Sequence, residues 1–216
     1  MQVQAVVFDM DGVIFDTESL WKKAFNKANQ KFSLSLTEDY RQSTCGKNEV
    51  LIRSELSSLY PDLDVPAYRN FMLDYVNTAI DSGDFAVKDG FLDVVSLLKS
   101  KGIKTVLATS SHKKRAQKLF RLKGLDINAL FDNAVFAEDV GNRSKPDPYI
   151  FKTAVDGVGV LPKNAIVLED SLTGIQGAVN GNFIPVMVVD LISPDDFALK
   201  NCKKIIRSLR ELSSLI

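Results

Sequence analysis

A chain of 216 residues in which 27 Lys and Arg are matched by 27 Asp and Glu has no net charge, and so offers no broad electrostatic footprint for nucleic acid or an anionic membrane. It is long enough for a full core in one or two domains, holds no apolar run approaching the ~20 residues of a bilayer span, and opens with no basic leader or cleavage site, so a soluble, cytoplasmic protein is expected. Cys45 and Cys202 are far apart and match no metal spacing, which fits a reducing compartment; the single histidine, His112, excludes a multi-histidine metal centre, and no Gly-x-Ser-x-Gly elbow is present.

The first predicted element is a short apolar strand, Ala5 to Phe8, of the kind buried in a parallel sheet. It ends in Asp9 and Asp11 on either side of Met10, and Gly12 then permits a sharp turn. An isolated Asp-x-Asp reads first as loop solvation or helix capping. A calcium loop of the EF-hand type is excluded, because its glycine falls at the sixth position and Gly12 is at the fourth.

From Asp16 to about Phe85 the pattern is helical. Leu20, Ala24, Phe25 and Ala28 share one face; Thr37 is a candidate N-cap for a short helix through Ser43; Leu51, Ile52, Leu56 and Leu59 mark a third helix stopped at Pro61; Phe71, Met72, Tyr75, Val76, Ala79 and Ile80 mark a fourth stopped near Gly83. These stripes read as core faces, so residues 16–85 are expected to form an all-helical unit inserted after the first strand.

After Gly90 helix and strand alternate. Helices are predicted at Phe91 to Lys101, Lys113 to Lys123, Pro148 to Gly157, from about Gly174, at Asp195 to Lys200 and at the chain's end. Strands are predicted at Ile103 to Thr109, Ala134 to Ala137, Ala165 to Leu168, Ile184 to Val189 and Lys204 to Ile206. The fold class is therefore α/β, a doubly wound parallel sheet built from residues 1–15 and 86–216 around the inserted helical unit.

In such a sheet the strand ends of one polarity share an edge. Asp9 and Asp11, Thr109-Ser110-Ser111 and Glu169-Asp170-Ser171 all end strands, and Lys145 lies in the loop after another. Asp9, Asp11, Glu169 and Asp170 crowd up to four negative charges, each pair repelling by roughly 4 kcal/mol at ~4 Å and an effective dielectric of 20. Such a cluster calls for a cation, and oxygen-only donors suit magnesium. Thr109 offers a hydroxyl, Ser110 a backbone N–H and Lys145 a positive charge, the parts of a phosphate cradle. Asp9 is then left to attack phosphorus and Asp11 to move a proton.

Asp9-Met10-Asp11-Gly12-Val13, Thr109, Lys145-Pro146 and Glu169-Asp170-Ser171-x-x-Gly174-Ile175, in that order, resemble the haloacid dehalogenase superfamily, in the branch of β-phosphoglucomutases and small sugar-phosphate phosphatases. The resemblance implies a Rossmann-like core with residues 16–85 as a helical cap. It also implies an aspartyl-phosphate on Asp9, and Asp11 as general acid and then base. Magnesium would lie on Asp9, the backbone carbonyl of Asp11, Asp170 and Glu169, with the phosphoryl group held by Thr109 and Lys145. It places the Gly46-Lys47 loop at the substrate. Gly46-Lys47 does not complete a P-loop, since Arg41 stands in place of its first glycine and Asn48 in place of Ser or Thr.

The expected activity is magnesium-dependent hydrolysis of a small phosphorylated metabolite, of the sugar-phosphate kind, by a monomer with no nucleic-acid or membrane partner. A phosphomutase on the same scaffold is the alternative, and a non-catalytic binding module comes after it. β-Phosphoglucomutases place an arginine three residues after the cap-loop glycine and a histidine in the first cap helix; here those positions are Glu49 and Trp21.

Overall fold

The structure, a computed structural model, describes residues 3–44, 49–141 and 143–216. The chain divides into two units, Met1–Asp16 with Ala86–Ile216, and Thr17–Phe85. The first unit is a six-stranded sheet in the order β3-β2-β1-β4-β5-β6, with β1 at Ala5–Phe8, β2 at Lys104–Ala108, β3 at Asn133–Val135, β4 at Ala165–Glu169, β5 at Ile184–Val188 and β6 at Lys204–Ile206. Every pairing is parallel. No helix of the described residues is long and apolar enough to cross a membrane.

Strand β1 lies inside the sheet, with Phe8 level with Leu107 of β2 and Leu168 of β4. Its four residues are fully buried because helices cover both faces. Alternation sends Ala5 and Val7 to one face, where they join Val106, Ile150, Phe151 and Val167. Phe8 points to the other face, edge-on to Phe91 at 5.8 Å and Phe131 at 5.9 Å between ring centres. Phe120 continues that aromatic layer against Phe131 and Phe15.

The helices of the two units, in chain order, are α1 (Glu18–Lys31), α2 (Glu38–Thr44), α3 (Glu49–Leu59), α4 (Val65–Asp81), α5 (Phe91–Ser100), α6 (Lys113–Leu122), α7 (Ile127–Leu130), α8 (Tyr149–Asp156), α9 (Leu172–Asn180) and α10 (Asp196–Asn201). The short α7 was not foreseen: four residues carry no helical period, and Asp126 starts the turn by accepting from the Asn128 N–H. Helix α9 begins two residues before Gly174, because the Ser171 hydroxyl accepts from the Gly174 N–H and caps it. The tail predicted as a helix is a 3₁₀ helix, Leu209–Leu215.

Within Thr17–Phe85, α1 packs on α4. Leu20, Ala24 and Ala28 are buried on one helix and Tyr68, Met72, Val76 and Ile80 on the other. Asp64 caps α4 by accepting from the Ala67 N–H, with Pro66 inside the first turn. The Tyr68 hydroxyl finds Asn29 Oδ1 at 3.0 Å. The stripe on α3 is narrower than expected: Ile52 and Leu56 are buried, whereas Leu51 and Leu59 are exposed.

Phe8 is the side chain that ties β1 to the aromatic layer under the sheet, through Phe91 and Phe131. Phe8→Ala is expected to cost about 3–5 kcal/mol, as large-to-small changes of buried aromatics do. Urea unfolding measures it, and a loss under ~1 kcal/mol would show that the layer closes over the gap.

Candidate active site

Four neighbouring strands, β3, β2, β1 and β4, deliver the polar residues to one edge of the sheet. The Asp9 N–H donates to the Leu168 carbonyl and the Thr109 N–H to the Val135 carbonyl, so both residues leave the sheet while still tied to a neighbouring strand. Their side chains are nearly fully buried, as are those of Glu169 and Asp170.

Lys145 reaches this edge from the loop beyond β3. Its Nζ donates to Asp9 Oδ1 at 2.5 Å and also to Glu169 Oε1. The loop is docked on α9: the Asn180 side chain donates to the Pro146 carbonyl, and a Cβ at Gly177 would stand 3.5 Å from that oxygen. The Lys145 ammonium also lies 5.1 Å from the Phe151 ring centre. Burial by itself would lower the lysine's pKa, but Asp9 and Glu169 together hold its proton and the net shift is upward.

Glu169 is fixed at its other oxygen as well. Oε2 accepts from the Ser171 N–H at 3.0 Å and the Ser171 hydroxyl at 2.8 Å. Two glycines make room for the acidic pair. A Cβ on Gly174 would lie 2.0 Å from the Glu169 carboxyl carbon, and one on Gly12 would lie 2.1 Å from Asp170 Oδ2. Gly12 also has φ +77°, which any side chain would strain.

Asp9, Glu169 and Asp170 each bring a carboxylate oxygen within 4.8 Å of the others. Three buried carboxylates against one ammonium leave an excess of two negative charges among these four residues. Burial, the neighbouring Glu169 and Asp11 outweigh Lys145 and push the Asp9 carboxyl up to about 7. A divalent cation would offset that excess and restore the ionised form. Three hard oxygen donors with no nitrogen or sulfur suit magnesium or calcium, so the residues fit the metal the sequence implies.

The side chain of Asp11 stands apart from this trio. Arg115 grips it in a fork, Nη1 to Oδ2 at 2.7 Å and Nη2 to Oδ1 at 2.9 Å, and the Ser111 hydroxyl donates to Oδ2 at 3.0 Å. Arg115 was missed from sequence; its one signal is a cation in the first turn of the helix after the Thr109 loop. Thr109 Oγ1 accepts from the Ser111 N–H at 3.0 Å, which shapes that loop, and Ser110 is exposed at its tip. His112 pairs with Glu138 at 3.2 Å on the surface. Gly46 and Lys47 lie outside the described residues.

A model of the haloacid dehalogenase-like hydrolases matches residues 3–182. The chain is 34% identical over 179 residues to a phosphorylated carbohydrates phosphatase of Thermotoga maritima, covering 82% of this chain and 80% of that one. It is 25% identical over 218 residues to hexitol phosphatase B of Escherichia coli O157:H7, covering 99% and 96%. Among solved structures, a Thermotoga maritima protein provisionally assigned as a β-phosphoglucomutase is 26% identical, with a TM-score of 0.76 over 100% of this chain and 98% of that one.

The Lys145 ammonium is what allows Asp9 and Glu169 to lie side by side while buried. In metal-free buffer at pH 8, Lys145→Met is expected to destabilise the fold by about 3–5 kcal/mol, the usual cost of removing one partner from a buried charge pair. The gap from the parent should narrow toward pH 5. Asp9's carboxyl is held at about 7 against an ordinary 3.8, so the folded state gains protons, and stability, as pH falls through 7. Without the lysine that pull is stronger. Urea unfolding at both pH values reads the effect; a gap that is constant with pH would mean the lysine is not what balances these carboxylates.

Proposed function

We propose that this chain, which belongs to the haloacid dehalogenase-like hydrolases, is a phosphatase of phosphorylated carbohydrates that carries the phosphoryl group on Asp9 during turnover. The observation that carries this reading is Lys145 bridging Asp9 and Glu169 beside Asp170, in one buried group at the sheet edge. The 34% identity to a phosphatase of that substrate class supports it.

In this reading a carboxylate oxygen of Asp9 attacks phosphorus, and the bond from phosphorus to the sugar oxygen breaks. That oxygen takes a proton from Asp11 as it leaves. Water then attacks the phosphoryl group on Asp9, gives its proton back to Asp11, and phosphate departs. Lys145 fixes the Asp9 carboxylate and offsets negative charge on the phosphoryl oxygens, which also receive the Thr109 hydroxyl and the Ser110 N–H. Asp9, the backbone carbonyl of Asp11 and Asp170, with Glu169, would hold a magnesium ion, which supplies further positive charge beside the phosphoryl oxygens.

We assign the helical unit Thr17–Phe85 the part of a cap that sets substrate choice, with Gly46 and Lys47 in its substrate loop. Phosphatase is preferred to mutase because Glu49 and Trp21 occupy the positions where β-phosphoglucomutases place an arginine and a histidine. A mutase must hold a bisphosphate at both ends, and a carboxylate repels the second one. Incubation with β-glucose 1-phosphate and a trace of the 1,6-bisphosphate should release free phosphate faster than it forms glucose 6-phosphate; the reverse would establish the mutase.

Asp9→Asn should abolish hydrolysis of p-nitrophenyl phosphate and of a panel of sugar phosphates, since an amide cannot attack phosphorus. EDTA should stop the parent enzyme and magnesium restore it. Substantial turnover by purified Asp9→Asn protein would sink the mechanism, and full activity in EDTA would remove the metal from it.

A further inference from the structure

We infer that Arg115, with Ser111, positions the Asp11 carboxylate for proton transfer and ties it to the loop that receives the phosphoryl group. The inference rests on the phosphatase reading above. Asp11 leaves the sheet at the end of β1, and the Thr109 loop leaves at the end of β2, its direct neighbour. A bare aspartate there would rotate about two side-chain torsions. Three donors prevent that: both guanidinium ends of Arg115 and the Ser111 hydroxyl.

The three groups also bond to one another. Arg115 Nη1 donates to Ser111 Oγ at 2.6 Å, and the Ser111 N–H donates to Thr109 Oγ1 at 3.0 Å. Arg115 is itself anchored in the first turn of α6, its N–H donating to the His112 carbonyl. The proton-transfer group and the phosphoryl-binding hydroxyl therefore belong to one bonded set.

Arg115 is 33% and Asp11 23% exposed, so the pair is partly buried and its two-pronged geometry contributes to stability as well as to orientation. What a planar fork supplies is direction: it sets the plane of the carboxylate, which an ammonium cannot do. Oδ2 takes both Arg115 Nη1 and the Ser111 hydroxyl, whereas Oδ1 takes Arg115 Nη2 and has a second lone pair, so the oxygen to face the leaving group is Oδ1.

The readout is the dependence on leaving group. An alkoxide needs a proton as its bond to phosphorus breaks, whereas p-nitrophenolate leaves without one. The second-order constant kcat/KM reports steps through that departure. The experiment compares kcat/KM for p-nitrophenyl phosphate and for the best sugar phosphate of the panel, in the parent, Arg115→Met, Arg115→Lys and Asp11→Asn. Arg115→Met should lose about 10–100-fold on the sugar phosphate and no more than about 3-fold on p-nitrophenyl phosphate, a fraction of what general acid catalysis is worth. Arg115→Lys should share the signature, because it keeps the charge and loses the fork. Asp11→Asn should show it more strongly.

Equal losses on both substrates would mean that Arg115 supports the fold or the phosphoryl group, and would overturn the inference. So would no loss, or a parent-like Arg115→Lys. If the parent hydrolyses neither ester, the phosphatase reading fails before any substitution is made, and the inference falls with it.

Discussion

One buried ammonium sets the terms for this site. Lys145 lies between Asp9 and Glu169, and without it two buried carboxylates would face each other at the sheet edge. Leaving that pair without its cation costs about 3–5 kcal/mol, a large share of a marginally stable fold's free energy. Much of the surrounding architecture serves that one contact. The loop carrying Lys145 is seated on α9, and α9 is started by Ser171, whose hydroxyl also holds Glu169. A single serine thus fixes a helix end and one side of the charge cluster.

Steric room is the second condition. The acidic pair at the end of β4 occupies space that a side chain at Gly12 or Gly174 would fill. Gly12 belongs to the loop after β1 and Gly174 to α9, so each glycine is where a different element's backbone closes on one of the carboxylates. The aromatic layer from Phe15 through Phe120, Phe131 and Phe91 to Phe8 packs beneath β1, the strand that ends in Asp9. Position at the edge is thereby inherited from packing in the core, with little left to the loops themselves.

Legibility in the sequence followed the range of the interaction. Asp9, Asp11, Glu169 and Asp170 were visible because each stands directly after an apolar strand run, and parallel topology brings such ends together. Gly174 was readable as a close approach of backbone, which is how it sits against Glu169. Arg115 was not readable. It is one of six basic residues between Lys113 and Lys123, and only the spatial adjacency of β1 and β2 selects it. Exposure of Leu51 and Leu59 on α3 was hidden for a related reason: helical period reports a face, and its width depends on what lies opposite. The four-residue α7 fell below the length at which any period can be counted.

The two aspartates of the Asp-x-Asp turn show how one short motif yields two different groups. They are separated by Met10 alone, yet their surroundings share little. Asp9 is buried, faces an ammonium that it shares with Glu169, and has its proton held up to about 7. Asp11 is partly exposed and faces a guanidinium from α6 and a hydroxyl from the loop before it. Lysine suits the first position, because a compact ammonium can sit between two carboxylates from different strands. Arginine suits the second, because a planar fork holds one carboxylate at a set angle. Gly12 makes the divergence possible: its positive φ turns the chain back so that its own N–H donates to the Phe15 carbonyl, and the two side chains leave toward different partners. In the proposed mechanism the two carboxylates do different work, and a tight turn at the end of a buried strand is what gives them unlike surroundings.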